Sequence, residues 1–463
     1  MSSEAGQVTQ AAEKMRAAGQ TDEAIRAFGS ALERVRSGAA TLIASSELEP
    51  APGVTALEDL PEADPAQALE AVALVKLNGG LATSMGLNQP KSLVEAREGR
   101  SFLEIIIGQT LALRRRYGVP LPLVLMNSQA TREATLAALA EHPEIKVDGV
   151  PLDFLQSMVP KLAADALEPV SWPEDPSLEW NPPGHGDVYA ALRGSGMLAG
   201  LLEHGYRYVL IANADNLGST VDARIAAHMA RKQIPFLMEV AQGTEADRKG
   251  GHIARRRRDG QLVLRETAQT PEDDQESFRD YRRWRYYNTN SLWVDLQALD
   301  DALAGGEGLE LPVIINRKTV DPRDSHSTPV LQLESAMGAA IASFAQASLL
   351  LVPRTRFAPV KTTDDLLVLR SDVYTLEDDY RVLPLPERAE RLPFVELDSR
   401  YYKLLDEFEL RLPDGPPSLR GAERLVVHGD VTFGRGVVVR GSVELTVDEP
   451  RRLEDGTVLR GDA

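Results

Sequence analysis

Between residues 70 and 370, short apolar runs of strand length alternate with stretches of helical periodicity. ALVKL at 73–77, LPLVLM at 121–126 and YRYVLIAN at 206–213 lack the strict polar alternation of a strand with one wet face. Strands of that kind are buried on both faces, and the helices between them supply the cover. The pattern is that of an α/β domain with a mainly parallel sheet flanked by helices. Local signals agree: Ser101 and Glu104 form a capping box at the head of SFLEIIIGQTLALRRRYG, residues 101–118. That segment closes on three arginines and Gly118, as a helix dipole and a left-handed cap favour.

Flanking regions differ in character. Residues 1 to about 45 read as helical, with Val8, Ala12 and Met15 on one face and Ile25, Phe28, Leu32 and Val35 on another. ELEPAPGVTALEDLPEADP at 47–65, rich in proline and acid, reads as a linker. HIARRRRDGQLVL at 252–264 carries Asp259-Gly260 between two runs, the signal of a hairpin whose arginines face water. From about 422, LVVHGDVTFGRGVVVRGSVELTV alternates valine-rich pieces with glycine turns, as stacked β turns in a left-handed β-helix-like cap would. The expected division is a helical region with linker at 1–69, the α/β domain at 70–370, and a C-terminal region at 371–463.

A formal net charge of −18 argues against general affinity for nucleic acid or an anionic membrane. The absence of cysteine removes disulfides, thiolate zinc sites and cysteine nucleophiles together. No apolar run approaches the roughly 18 residues of a membrane span, and the N-terminus lacks a signal-peptide core. The expectation is a soluble cytoplasmic protein. Only ten of the 51 basic residues are lysines, so a lysine beside a glycine-rich or proline-marked turn stands out.

Such a lysine exists. LNGGLATSMG at 77–86 follows directly on the first strand-like run, and Lys91 lies just beyond it in QPKS. In an open α/β sheet ligands bind outside the carboxyl ends of strands, where glycines let backbone N–H groups approach a phosphate. The loop is not a dinucleotide fingerprint of GxGxxG type. Nor is it a Walker A loop, since Lys91 follows Pro90.

LNGGLATSMGLNQPKS at 77–92 resembles the nucleotide loop of the eukaryotic-type UTP–glucose-1-phosphate uridylyltransferase family, also called UDP-glucose pyrophosphorylases. The resemblance continues in order through DFLQS (153–157), WNPPGHGDVY (180–189), ANADNLGSTVD (212–222), RKGG (248–251), YNTNSLWVDL (287–296), LQLESAMGAAI (331–341) and VPRTRFAPVKTTDDLL (352–367). The tail HGDVTFGRGVVVRGSV is similar to that family's C-terminal β domain.

The resemblance implies a Rossmann-like, GT-A-like nucleotidyltransferase fold. It implies Mg2+-dependent conversion of UTP and glucose 1-phosphate to UDP-glucose and pyrophosphate. Lys91, Lys361 and Asp215 would be catalytic, with Asp215 the metal residue. Leu77, Asn78, Gly79, Gly80, Lys91, Gln156, Gly184 and Asn213 would bind the nucleotide. His185, Asn213, Asp215, Glu266, Asn288 and Lys361 would bind the sugar phosphate. Because Lys361 is remote from Lys91 in sequence, the smaller C-terminal part would have to close over the cleft for both to reach the substrates. Self-association, if any, would run through the C-terminal β domain. Two departures from the family's pattern stand in the loop: Ala82 and Gln89 each replace a usual glycine. The competing readings are a pyrophosphorylase for another sugar 1-phosphate, or an inactive nucleotide-sugar binding protein.

Overall fold

The main strands run side by side in the order Thr55–Ala56, Ser348–Leu351, Phe236–Gln242, Tyr286–Asp295, Tyr208–Asn213, Val72–Asn78, Leu123–Asn127 and Asp153–Leu155. The structure is a computed structural model describing residues 4–38, 42–305 and 308–461. Tyr286–Asp295 runs antiparallel to both neighbours, and the other pairings along this path are parallel. The expectation of a mixed α/β domain with a largely parallel sheet holds.

The apolar runs form strands because they must serve two cores. Leu74, Leu123, Leu125 and Leu210 point to one face, while Ala73, Val75, Val124, Met126, Val209 and Ile211 point to the other. Each fully enclosed aliphatic side chain of this kind contributes about 1.5–3 kcal/mol. The helix Phe102–Tyr117 covers the first face, with its predicted capping box formed by Ser101 and Glu104 and its predicted left-handed cap at Gly118, φ 68°. From Val72–Asn78 the chain steps outward through Leu123–Asn127 to Asp153–Leu155, then returns to the opposite side at Tyr208–Asn213. This reversal of direction creates the crevice at the carboxyl ends of Val72–Asn78 and Tyr208–Asn213.

The segment expected as a linker is not one. Leu48–Pro50 pairs antiparallel with His252–Arg256, and Thr55–Ala56 extends the sheet beside Ser348–Leu351. Proline is tolerated on an edge strand, where no neighbour needs its missing N–H, so the composition misled. The N-terminal helices Glu4–Ala17 and Asp22–Arg36 form as read, burying Met15, Ile25, Phe28 and Leu32 against Val159, Leu331 and Leu333. The Asp259-Gly260 hairpin also forms, and its arginines pair with Glu49 and Asp259 at the surface.

The C-terminal coil stacks Ser418–His428, Val438–Thr446 and Val458–Arg460 in parallel, with Val431–Thr432 and Arg451–Arg452 on a second face. It begins earlier than about 422, since Phe394–Leu397 already pairs with Ser418–His428. Leu425, Val427, Val431 and Phe433 belong to the same apolar core as Leu74, Leu210 and Leu367. The coil and the main sheet therefore share one interior.

Candidate active site

Two loops leave the crevice together, because Val72–Asn78 and Tyr208–Asn213 are in register with Leu77 opposite Asn213. The Ala214 N–H donates to the Leu77 carbonyl at 3.2 Å. Asn78 does not offer its side chain to the crevice. Its buried amide donates to Asn127 Oδ1 at 2.8 Å and Thr135 Oγ1 at 2.9 Å. It fixes where the loop departs, and only its main chain remains as a candidate nucleotide contact.

Gly79 lies close against Gln156: a Cβ there would stand 2.5 Å from Gln156 Oε1 and push that side chain aside. The Lys91 N–H donates to the Gly80 carbonyl at 3.1 Å, folding the loop back so that the lysine returns to the glycines. Neither departure in the loop disturbs this path. Ala82 has φ −78°, an ordinary value for any residue, and its methyl is buried. Gln89 is exposed and takes part through its carbonyl, which accepts from the Ala82 N–H. Gly79→Ala is expected to displace Gln156 and weaken binding of a nucleotide at this loop roughly tenfold, a loss of about 1.4 kcal/mol. Calorimetric titration with uridine nucleotides would show it, and an unchanged affinity would mean that Gln156 does not serve the nucleotide.

Asp215 gathers the charges. Its Oδ2 accepts from Lys91 Nζ at 2.9 Å and from Lys361 Nζ at 3.0 Å, and Lys91 also donates to the Val360 carbonyl. Asp215 Oδ1 is buried without a hydrogen-bond partner. Burial alone would raise this carboxyl, but Lys361 and then Lys91 outweigh it and hold Asp215 below the usual carboxylate range.

Lys361 and Asp215 meet across 146 residues because their segments are sewn together. The Val360 N–H donates to the Asp215 carbonyl at 3.2 Å. Asn216 donates to the Arg356 carbonyl at 3.1 Å and accepts from the Ala358 N–H at 3.1 Å. Arg356 grips the fully buried Glu239 at 2.6 and 2.7 Å and donates to the Thr220 carbonyl at 2.8 Å. The closure expected from sequence is thus not needed to bring Lys361 to Asp215.

The opposite wall is the turn at Pro183–Asp187. Gly184 has φ +80°, and a Cβ there would lie 2.5 Å from the Ser335 carbonyl oxygen, so only glycine fits. Gln156 Nε2 donates to the Gly184 carbonyl at 3.1 Å, which brings Gln156, Gly79 and Gly184 to one place. His185 Nδ1 lies 3.0 Å from the Met337 N–H and accepts from it, so the proton of the neutral ring is assigned to Nε2. Burial, reinforced by Lys361, lowers the imidazolium to about 4. His185 is therefore neutral at physiological pH, with a single fixed donor.

Glu266 and Asn288 continue the lining. Gly338, next to Met337, lies against Asn288, since its Cβ would stand 2.8 Å from Asn288 Nδ2. The Asn288 N–H donates to the Gly251 carbonyl at 3.0 Å, and a Cβ on Gly251 would lie 2.5 Å from Glu266 Oε1. Asn290, at φ 54°, exchanges two hydrogen bonds with Asn288 and so holds it in place. Burial raises the Glu266 carboxyl.

Sequence reasoning missed Ser335, Asn216, Glu239 and Arg356, which position the named residues. Ser335, Asn216 and Arg356 lie inside segments that carry the family resemblance, and Glu239 shows as an acid inside the apolar run FLMEVA. Among the described residues no group of three or more His, Asp or Glu side chains could hold a metal by itself.

Comparison with known proteins matches this arrangement. The family model described as UTP–glucose-1-phosphate uridylyltransferase matches residues 26–440. The Hordeum vulgare UTP–glucose-1-phosphate uridylyltransferase is 40% identical over 395 residues, 84% of this chain and 81% of the relative. The Saccharomyces cerevisiae protein of the same name is 38% identical over 394 residues, covering 84% and 77%. Among solved structures, a mutant UDP-glucose pyrophosphorylase from Leishmania major in complex with UDP-glucose superposes with a TM-score of 0.93 at 42% identity over 98% of each chain. A UDP-glucose phosphorylase from Trypanosoma brucei gives 0.90 at 41% identity over 99% of each. With the whole crevice and the first part of the coil inside the matched region, the chain belongs to the UTP–glucose-1-phosphate uridylyltransferase family.

Proposed function

We propose that this protein transfers the uridylyl group of UTP to glucose 1-phosphate, releasing pyrophosphate and forming UDP-glucose, reversibly and without a covalent enzyme intermediate. The observation that carries the reading is the convergence of Lys91 and Lys361 on Asp215 at the mouth of the glycine loop. A sugar phosphate is already ionised at neutral pH, so its oxygen needs no enzyme base to attack the α-phosphorus. What the reaction requires is alignment of two polyanions and neutralisation of the charge on the transferring group.

Each part of the crevice has a task in that scheme. Leu77, Gly79 and Gly80 present main chain to the nucleotide, with Asn78 contributing backbone only. Gln156 retains Oε1 and one N–H for a base edge that both donates and accepts. Gly184 lets the base approach its turn. His185 donates from Nε2 to the sugar phosphate, and Asn213 lies between nucleotide and sugar phosphate. Glu266 and Asn288 bind glucose hydroxyls. Lys91 and Lys361 exchange Asp215 for phosphate oxygens when substrates arrive.

Mg2+ fits this donor set. Asp215 has one buried oxygen without a partner, and Mg2+ prefers oxygen ligands drawn largely from substrate phosphates. When bound, the ion would neutralise phosphate charge, with Asp215 as its protein ligand. We also propose a cytoplasmic location; no helix among the described residues is long and apolar enough to cross a membrane.

The test is pyrophosphate release from UTP with glucose, galactose and N-acetylglucosamine 1-phosphates at equal concentration. We expect glucose 1-phosphate to be preferred. Preference for another sugar would reassign the hydroxyl contacts, and no release from folded protein would leave a binding protein.

A further inference from the structure

Lys76 is the one charged residue in the strand Val72–Asn78, and it is fully enclosed. An ammonium in that position is costly unless its donors are used. Its Nζ donates to the Ser219 carbonyl at 2.8 Å and reaches the Asn216 carbonyl at 3.5 Å. Both carbonyls belong to the turn that begins at Asp215. No carboxylate among the described residues forms an ion pair with Lys76, for the nearby Glu239 is occupied by Arg356 and by Trp293 Nε1 at 2.8 Å.

The same turn is held from its other sides. Ser291 Oγ donates to Ser219 Oγ at 2.8 Å, and Arg356 holds the Thr220 carbonyl. Lys76 supplies the support from the sheet side, in the residue that pairs with Ala212 three positions before Asp215. Burial and then Arg356 push its ammonium down to about 7, against Glu239 and Asp215. The proposed chemistry gives this side chain no contact with substrate.

We infer that Lys76 is a positioning residue for the uridylyl transfer: its ammonium braces the Asn216–Ser219 carbonyls so that the Asp215 carboxylate holds its place with one oxygen free for a divalent cation. The inference rests on the reading of Asp215 as the Mg2+ ligand. Methionine at 76 would keep the strand's apolar packing and leave the turn's carbonyls unbraced.

The experiment titrates Mn2+ into full-length protein saturated with UDP-glucose, following loss of the free-ion EPR signal, with Asp215→Asn in parallel. Lys76→Met is expected to weaken Mn2+ binding about tenfold or more, as loss of support behind a metal ligand commonly does. Its kcat should fall alongside, while the KM values for UTP and glucose 1-phosphate shift less than about threefold. Wild-type Mn2+ affinity in folded Lys76→Met, with Asp215→Asn impaired, would overturn the brace alone. Wild-type affinity in Asp215→Asn would overturn the metal assignment and the brace with it. Should Lys76→Met fail to fold, Lys76→Gln replaces it: the shorter, uncharged side chain should also weaken Mn2+ binding, and wild-type affinity would reject the ammonium's role.

Discussion

Lys361→Ala is expected to lower turnover by between about a hundred- and a thousand-fold, the range seen when one donor to a developing charge is removed. The side chain is more than half exposed, so the fold should hardly register its loss. The melting curve should overlay that of the wild type. UDP-glucose binding should also survive, since Gln156, Glu266 and Asn288 are untouched. Near-normal turnover would show that the ammonium is only a counter-ion for Asp215 and takes no part in phosphate transfer.

Asp215→Asn is expected to have a larger effect, about a thousand-fold or more on turnover, with the response to added Mg2+ flattened. The amide cannot serve as the anionic ligand and leaves Lys91 and Lys361 facing each other without their shared carboxylate. A turnover that still rises with Mg2+ as in the wild type would exclude Asp215 as the ligand. Stability provides a separate check with a defined sign. Because the Asp215 carboxyl is held below its unfolded value of 3.8, its contribution is present above that pH and is lost as pH falls through the lower folded value. The stability gap between wild type and Asp215→Asn should therefore shrink in strong acid.

Much of this was legible in the sequence because it rests on local rules. Alternating runs specified the sheet, Ser101-Glu104 and Gly118 bounded their helix, and Asp259-Gly260 made its hairpin. Of the residues named for the crevice, Lys91 and Lys361 meet on Asp215, and Gly79, Gln156 and Gly184 meet one another. The failures share a physical cause, which is that tertiary partners cannot be read from one chain segment. Pro50 suggested a linker until an edge strand gave it a place. Asn78 looked available until Asn127 and Thr135 consumed its amide. Lys361 seemed to need a closing motion because nothing in the sequence announces that Asn216, Glu239 and Arg356 sew its segment to the Asp215 turn.

The interior shared by the sheet and the C-terminal coil has a consequence for the chain in a cell. A ribosome that stops short of the coil releases a polypeptide whose main apolar core, which includes Leu74, Leu210 and Leu367, lacks Leu425, Val427 and Phe433. Such a product presents sticky apolar surface to chaperones and proteases. Nonsense changes late in the reading frame should therefore remove the protein altogether rather than leave a shortened enzyme.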